Sequence, residues 1–134
     1  MYEGSCLCGT VKVVITGDIK AVTHCHCNMC QKAHGAAFAT FAACRDEDFM
    51  IVQGGDSIKR FESSPNYFRT FCAHCGSNIQ WIHDTKESNG WSTFALSLLD
   101  TPFHRNKQKH IYVTSKAPWL SLSDNHPKFG GAGN

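Results

Sequence analysis

Short runs of β-branched and aromatic residues alternate with glycine, proline and polar turn residues along most of the chain, a pattern that predicts a mainly β protein. The predicted strands are residues 10–16, 19–23, 36–43, 49–52, 57–62, 67–71, 77–83, 91–98 and 110–114. Residues 57–62 and 67–71 have the pattern of a hairpin with a four-residue loop. In residues 36–43 the alanines would suit a helix equally well, and the period-two alternation favours a strand.

Three segments do not show the alternation of apolar and polar residues that is typical of strands. Residues 28–33 can form one helical turn, and Gly35 is placed to end it. Residues 84–89 indicate a charged loop. The tail after residue 115 has no periodicity, and its last six or so residues are expected to be loose.

Length and charge limit the possible classes of protein. The 134 residues fit one domain, residues 1–134, with a modest core. The net charge of +2 is too small to indicate nucleic acid or an anionic membrane as the main partner. No basic segment followed by an apolar run opens the chain, and no apolar stretch approaches the roughly 18 residues that span a membrane. We therefore expect a cytoplasmic protein with no membrane partner.

The eight cysteines carry the strongest chemical signal. Only Cys44 stands alone, as a buried small residue or an inert thiol, and the others form three clusters: Cys6/Cys8, Cys25/Cys27/Cys30 and Cys72/Cys75. Close-spaced cysteines in a chain without a secretion signal indicate metal binding or catalysis. Disulfides or plain core packing are the alternative.

The two cysteine pairs complement one another. Cys6/Cys8 and Cys72/Cys75 each offer two ligands from a turn, and two such pairs make a closed four-thiolate site of the kind that holds structural zinc. Such an ion can contribute on the order of 10 kcal/mol to the folding of a small domain. The alternative is a single four-ligand site built from any two clusters.

The remaining cluster is the candidate reactive, catalytic site. Cys25, Cys27 and Cys30 place three thiolates on one short segment, and a zinc ion with three protein ligands keeps a fourth position for water or substrate. His24 or His26 can complete the ligand set instead. For both histidines we favour a role beside the metal ligands or on the surface.

Charge predicts what an open site of this kind prefers. Three thiolates give the zinc centre a net negative formal charge, which makes it a poorer Lewis acid and a poorer source of hydroxide than zinc held by three neutral histidines. Hydrolysis is therefore disfavoured. Binding of an incoming thiolate is favoured, because zinc accepts four sulfurs and lowers the pKa of a thiol.

Other polar and aromatic residues lie near the cysteine clusters along the sequence. Lys32 and His34 can meet an anionic ligand or form a solvated helical face. His74 is redundant as a ligand inside its cysteine pair. The aromatic residues expected in the core are Phe71, Trp81, Trp91 and Phe94.

The motifs around the cysteines resemble those of the glutathione-dependent formaldehyde-activating enzyme family, which includes centromere protein V. The matching motifs, over about residues 2–115, are Gly4-Ser5-Cys6-x-Cys8-Gly9, Cys25-His26-Cys27-x-x-Cys30-x-Lys32-x-His34-Gly35-Ala36 and Phe71-Cys72-x-x-Cys75-Gly76-Ser77. The resemblance implies a β-tent fold of small antiparallel sheets organised around zinc. It implies two zinc ions per chain, a closed one on the two cysteine pairs and a second on the three-cysteine cluster, where glutathione would bind.

The activity that the resemblance implies is that of a carbon–sulfur lyase, which condenses glutathione or a similar thiol with a small aldehyde such as formaldehyde. A glutathione pocket needs groups for two carboxylates and an ammonium. Arg45, Lys59, Arg60 and Arg69 are candidates for the carboxylates by charge alone.

A non-catalytic zinc-dependent binding module is the alternative function. Residues 105–110 carry three cations in six positions, a weak indication of nucleic-acid binding. Since the whole chain is close to neutral, we do not expect nucleic acid as the partner.

Overall fold

The computed structural model describes residues 1–84 and 89–133 and is mainly β, as predicted. Its strands are β1 (Tyr2–Ser5), β2 (Lys12–Ile15), β3 (Lys20–Cys25), β4 (Ala39–Arg45), β5 (Phe49–Gln53), β6 (Ile58–Ser64), β7 (Tyr67–Cys72), β8 (Asn78–His83), β9 (Trp91–Ala95) and β10 (Gln108–Ile111). The helix predicted after the three-cysteine cluster is α1 (Asn28–His34). Short 3-10 turns lie at Asp46–Asp48, Gly55–Ser57, Leu96–Leu98 and Val113–Ser115.

Contacts divide the chain into two compact units. The first unit contains Met1–Lys20 and Ala42–Phe103, and the second contains Ala21–Phe41 and the chain from His104 onward. The interpretation of residues 1–134 as a single domain stays a prediction.

In the first unit, β1, β2 and β5 form an antiparallel sheet with β2 in the middle. Val13 and Ile15 alternate along β2 and are buried, so one face of this strand closes the core. The sequence pattern does not predict β1, because Tyr2-Glu3-Gly4-Ser5 has little β propensity. Pairing with β2, which no local pattern reveals, stabilises it.

Strands β9, β8, β7 and β6 follow one another in the first unit as antiparallel neighbours. The hairpin of β6 and β7 is confirmed, but the four-residue loop is wrong. Ser64 pairs with Tyr67, so that Pro65 and Asn66 alone connect the strands. Asn66 adopts a φ of 67°, a left-handed conformation that asparagine tolerates better than most residues, and this permits the tighter turn.

The core of the first unit contains two of its four clustered cysteines. Phe94 is also fully buried, as expected, and it contacts the ring of Phe49. The buried core cluster consists of Cys6, Val11, Val13, Cys72, Ile79, Ala95 and Leu98. Cys6 and Cys72, the first cysteine of each pair, are therefore packed in the same interior.

In the second unit, β3 lies between β10 and β4. β10 runs parallel to β3, with His110 opposite His24 and Ile111 opposite Cys25. The strand predicted over residues 110–114 ends early, because Tyr112 adopts a left-handed φ of 55° and the chain turns.

The tail is hydrogen-bonded to this strand as far as Gly131, which differs from the loose tail expected. The N–H of Phe129 donates to the carbonyl of His110 at 3.0 Å, and the N–H of Tyr112 donates to the carbonyl of Gly131 at 2.8 Å. These are backbone bonds, and they leave no signal in the side-chain pattern.

Three other expectations concern limits of elements. The strand predicted over residues 91–98 ends at Ala95, where the turn Leu96–Leu98 begins. The predicted charged loop falls mostly on residues 85–88, which lie outside the described residues. Within the described ranges, no helix is long and apolar enough to cross a membrane.

Candidate metal centres

The cysteines converge in two groups, one in each unit. We call Cys6, Cys8, Cys72 and Cys75 the four-cysteine group, and Cys25, Cys27 and Cys30 the three-cysteine group. Within each group the sulfurs all lie within 4.8 Å of one another, so that each group can hold a metal ion. All eight cysteines are free of disulfides.

The two halves of the four-cysteine group each close with a glycine in a left-handed conformation, although the first turn is one residue shorter than the second. Gly9 follows Cys8 with a φ of 79°, and Gly76 follows Cys75 with a φ of 78°. In each half the glycine N–H donates to the carbonyl of the first cysteine of the pair, at 3.0 Å and 2.8 Å. Residues with a side chain rarely adopt this backbone conformation, which explains why glycine closes both turns.

Hydrogen-bond donors surround the sulfurs of the four-cysteine group. Ser77 lowers the pKa of Cys75 to about 5, first through its hydroxyl, 3.3 Å from Sγ, and then through its backbone N–H. The hydroxyl of Thr10 lies 3.2 Å from Cys8 Sγ and lowers the pKa of that thiol. Ser77 Oγ also accepts the N–H of Leu7 at 2.9 Å, which connects the two halves. The protein itself thus stabilises the thiolates of Cys8 and Cys75, whereas at Cys72 the backbone donors are outweighed by burial and the neighbouring thiols, which raise the pKa.

The three-cysteine group lies where β3 ends and α1 begins. Cys25 and Cys30 are buried, and Cys27 is partly buried. Cys27 Sγ accepts the N–H of Cys30 at 3.3 Å and caps the first turn of α1, and Gly35 ends the helix as predicted. The side-chain amide of Gln31 donates to the carbonyls of His26 and Ser115 at 2.7 Å and 2.9 Å, which braces the turn from inside.

The thiolate of Cys25 is disfavoured in the absence of a cation. The hydrogen bond to Cys30 and burial raise the pKa of Cys25 far above its ordinary value. A bound divalent cation reverses this effect, because it supplies the positive charge that the protein does not. The set of three soft sulfur donors therefore fits a metal ion.

A chain of hydrogen-bonded polar side chains, from the buried His26 and His110 to the exposed Asp124, lies beside the three-cysteine group. His26 is completely buried, and its Nε2 lies 2.7 Å from Nδ1 of His110, whose Nε2 lies 2.9 Å from Asp124 Oδ2. The carboxylate can only accept, so His110 donates from Nε2 and accepts the N–H of His26 at Nδ1. The surface role allowed for His26 is wrong, and the role beside the metal ligands is favoured instead.

The surroundings of His26 determine the protonation state of its ring. Burial, and then the positive charge that His110 can carry, lower the pKa of His26 and favour the neutral ring. Its Nδ1 is then a buried acceptor, and no described residue donates to it. In the described residues, the three-cysteine group includes neither His26 nor His24.

His24 belongs to a separate pair of hydrogen bonds. Its Nε2 lies 2.7 Å from Oε1 of Gln108, and its Nδ1 lies 2.9 Å from the hydroxyl of Thr40. Because the amide oxygen only accepts, Nε2 carries the proton and Nδ1 accepts from Thr40. With both ring nitrogens engaged, His24 has a structural role in the sheet.

The other candidates are placed as follows. His74 is exposed and lies outside the four-cysteine group, 3.3 Å from the hydroxyl of Ser57. Burial raises the pKa of Cys44 to about 11, with a further contribution from Asp48. This agrees with an inert buried thiol.

The cations proposed for a carboxylate pocket lie in the first unit. The guanidinium groups of Arg45 and Arg60 lie 4.3 Å and 4.1 Å from the ring centres of Trp91 and Phe68. Arg69 is buried at 7% exposure. Both exposed arginines are thus held against aromatic rings in that unit.

Sequence reasoning missed the residues that surround the cysteines. Ser77 follows Cys75, and Thr10 follows Cys8, by two positions. The hydroxyl group so close to each cysteine was the sequence signal that could have identified both residues. His110 and Asp124 are far from the three-cysteine group along the chain, and no local pattern connects them to it.

Comparison with known proteins relates the chain to a relative, a solved structure and a family model. A protein of Halomonas elongata is 26% identical over 130 residues, 91% of this chain and 81% of the relative, and its name provisionally ascribes glutathione-dependent formaldehyde activation to it. A crystal structure of a Rhodobacter sphaeroides protein shares the fold with a TM-score of 0.57 and 20% identity, covering 75% of this chain and 90% of the other. The family model described as "Glutathione-dependent formaldehyde-activating enzyme" matches residues 1–115, and the chain therefore belongs to that family.

Proposed function

We propose that this protein holds two zinc ions, one structural and one reactive, and adds a thiol to a small aldehyde at the reactive ion. The observation that carries the proposal is the difference between the two groups. Four sulfurs converge in one group, and three in the other, with no described histidine or carboxylate completing the second. Zinc is the ion expected, because it favours thiolate ligands and four-fold coordination.

The charge of the three-cysteine group supports a thiol substrate. Zinc bound there would lower the pKa of an incoming thiol and hold its sulfur as a thiolate. Cys25, Cys27 and Cys30 would hold the ion. Gln31 keeps the turn in place, and the chain from His26 to Asp124 keeps polar groups beside the cysteines oriented.

The family supports glutathione and formaldehyde as the substrate pair. In the proposed reaction the sulfur forms a bond to the carbonyl carbon, the C=O π bond breaks, and the thiol proton ends on the new hydroxyl. The product is S-hydroxymethylglutathione. Nothing is oxidised or reduced, so no redox cofactor is needed, and the reverse reaction breaks a carbon–sulfur bond, as a carbon–sulfur lyase does.

The proposal extends to the fold and the compartment. Small antiparallel sheets beside a four-cysteine group support the β-tent fold that the family resemblance implies. A reducing cytoplasm would keep eight free thiols available to metal.

The test compares Cys27→Ser with Cys44→Ala, both in the zinc-loaded protein. Serine at position 27 removes a sulfur ligand but keeps an oxygen that can cap α1. We expect wild-type protein to bind glutathione by calorimetry and to accelerate exchange between formaldehyde and S-hydroxymethylglutathione by NMR. Cys27→Ser should lose that acceleration at least about tenfold, equivalent to about 1.4 kcal/mol in the barrier, and Cys44→Ala should retain it.

Two results contradict the proposal. One is zinc-loaded wild-type protein that neither binds a thiol nor changes the exchange rate. The other is Cys27→Ser with wild-type activity, which would remove the three-cysteine group from the reaction.

A further inference from the structure

A basic cleft of about 610 Å³ lies in the second unit, apart from the residues assigned to either metal. Parts of β3 and β10 and of the tail line it. The lining includes Arg105, Lys107, Lys109, Val22, Pro127 and Phe129. We call it the basic cleft.

The positive charge of the basic cleft is not compensated. Arg105, Lys107 and Lys109 line it, and among the described residues no aspartate or glutamate does. None of the three side chains forms an ion pair or hydrogen bond with a described residue, and Nε of Arg105 is buried with no acceptor. A buried donor without a partner destabilises the protein, and an anion that contacts this guanidinium would supply the acceptor.

Asp124, the residue before the lining residue Asn125, is already engaged with another cation. Asp124 accepts from His110 at 2.9 Å and from the ammonium of Lys128 at 3.1 Å. The hydrogen bond from His110 holds the pKa of that carboxyl well below its usual range, so it stays ionised and paired. The cations of the cleft therefore remain available to a ligand.

The rest of the lining is partly apolar and partly polar. Val22 is buried in β3, and Pro127 and Phe129 belong to the tail segment that is hydrogen-bonded to β10. Gln108 also lines the cleft, and its amide is fixed by His24 at 2.7 Å and by the carbonyl of Arg105 at 2.8 Å. The other polar lining residues are Asn106, Asn125 and His126. An apolar wall with a few convergent polar and charged groups is the usual form of a small-molecule site.

We propose that the basic cleft binds a small organic anion, with its carboxylate or phosphate group on Arg105, Lys107 and Lys109 and its apolar part against Val22 and Phe129. Guanidinium geometry matches both oxyanions. The cleft is a site separate from the three-cysteine group, and its occupancy does not require a thiol or a metal-bound ligand.

A nucleic-acid surface is less favoured by the same geometry. His110 is buried at 2% exposure and Gln108 is engaged with His24, so the basic segment presents only three cations. A cleft of about 610 Å³ accommodates a molecule of metabolite or drug size. Nucleic-acid domains carry a basic stripe over a much larger surface.

The test uses two thiol-free probes that separate the sources of the anionic group, S-methylglutathione for carboxylate and adenosine 5′-monophosphate for phosphate. Calorimetry at low ionic strength compares zinc-loaded wild-type protein with the double variant Lys107→Gln/Lys109→Gln. The matched control is Lys12→Gln/Lys20→Gln, which removes the same charge from two exposed lysines of the first unit, neither of which lines the cleft.

We expect one probe to bind at least about tenfold more weakly to the cleft double variant and within about twofold of wild type to the control, since tenfold in affinity is 1.4 kcal/mol. Arg105→Gln should weaken the same probe, and this single variant serves if the double variant unfolds early. The proposal is overturned if neither probe binds at millimolar concentration, or if both double variants weaken binding equally. Tighter binding of a single-stranded oligonucleotide than of either probe would also overturn it.

Discussion

The sulfurs of the four-cysteine and three-cysteine groups have different surroundings. In the first, the hydroxyl groups of Ser77 and Thr10 lie 3.3 Å and 3.2 Å from the sulfurs of Cys75 and Cys8, and the pKa of Cys75 falls to about 5. Despite backbone donors, burial and the neighbouring thiols raise the pKa of Cys72 in the same group. In the second, the hydrogen bond with Cys30 and burial raise the pKa of Cys25, for which a cation would supply the missing positive charge. The number of sulfurs and these surroundings distinguish the proposed closed site from the proposed open one.

The largest effect that tests this comparison is expected from Cys72→Ser. Cys72 belongs to the four-cysteine group and is fully buried in the core of the first unit. Loss of a structural zinc site removes on the order of 10 kcal/mol, which is as large as the whole stability of an ordinary domain. We expect the variant to lose its cooperative thermal transition by circular dichroism.

Cys27→Ser is the matched control for that experiment, because it changes one sulfur to oxygen in the other group. It should keep a cooperative transition and lose only one of the bound metal ions by elemental analysis. If Cys72→Ser and Cys27→Ser unfold at the same temperature with the same cooperativity, the two groups contribute equally to the stability of the fold.

An intermediate effect is expected from His110→Leu. The leucine has a similar volume but leaves the buried N–H of His26 without its acceptor, and it removes one of the donors to Asp124. A buried polar group without its hydrogen bond costs about 1–3 kcal/mol, so we expect a loss of that size in the free energy of unfolding by urea.

His74→Leu is the control, since His74 is an exposed histidine beside the four-cysteine group. A surface substitution there should change the free energy of unfolding by no more than about 0.5 kcal/mol. Equal losses in the two variants would mean that the chain from His26 to Asp124 has no special role beside the three-cysteine group.

The cysteine grouping was predictable from the sequence, because ligand spacing and glycine position are local features. Cys6/Cys8 and Cys72/Cys75 are each followed directly by a glycine in the sequence. Gly9 and Gly76 both adopt the αL conformation, which explains why glycine occupies both positions. The helical turn ending at Gly35 was predictable for the same reason.

What surrounds the cysteines was not predictable, because it depends on pairing between distant segments. The bond from His26 to His110 joins residues 84 positions apart, and it exists because β10 runs parallel to β3. The hydrophobic pattern of β10 does not state which strand it pairs with or in which direction. The basic cleft depends on the same pairing, and on backbone bonds of a tail that has no periodicity.

The smallest effect is expected at Cys44. It tests how hydrogen-bond donors change the pKa and the reactivity of a cysteine. This thiol is fully buried beside Asp48 and Asp46, without the donors that Cys75 has, and its pKa is raised to about 11, against about 5 for Cys75. Because only the thiolate reacts, roughly one molecule in a thousand is reactive at Cys44 at pH 8. We expect alkylation of Cys44 by iodoacetamide, followed by peptide mass spectrometry, to be at least about a hundredfold slower than that of free cysteine. Its rate should rise about tenfold per pH unit as long as the fold persists, since the thiolate fraction grows towards the pKa. Rapid labelling at neutral pH would mean that Cys44 is a reactive thiol in its own right, and that burial without donors does not silence a cysteine in this protein.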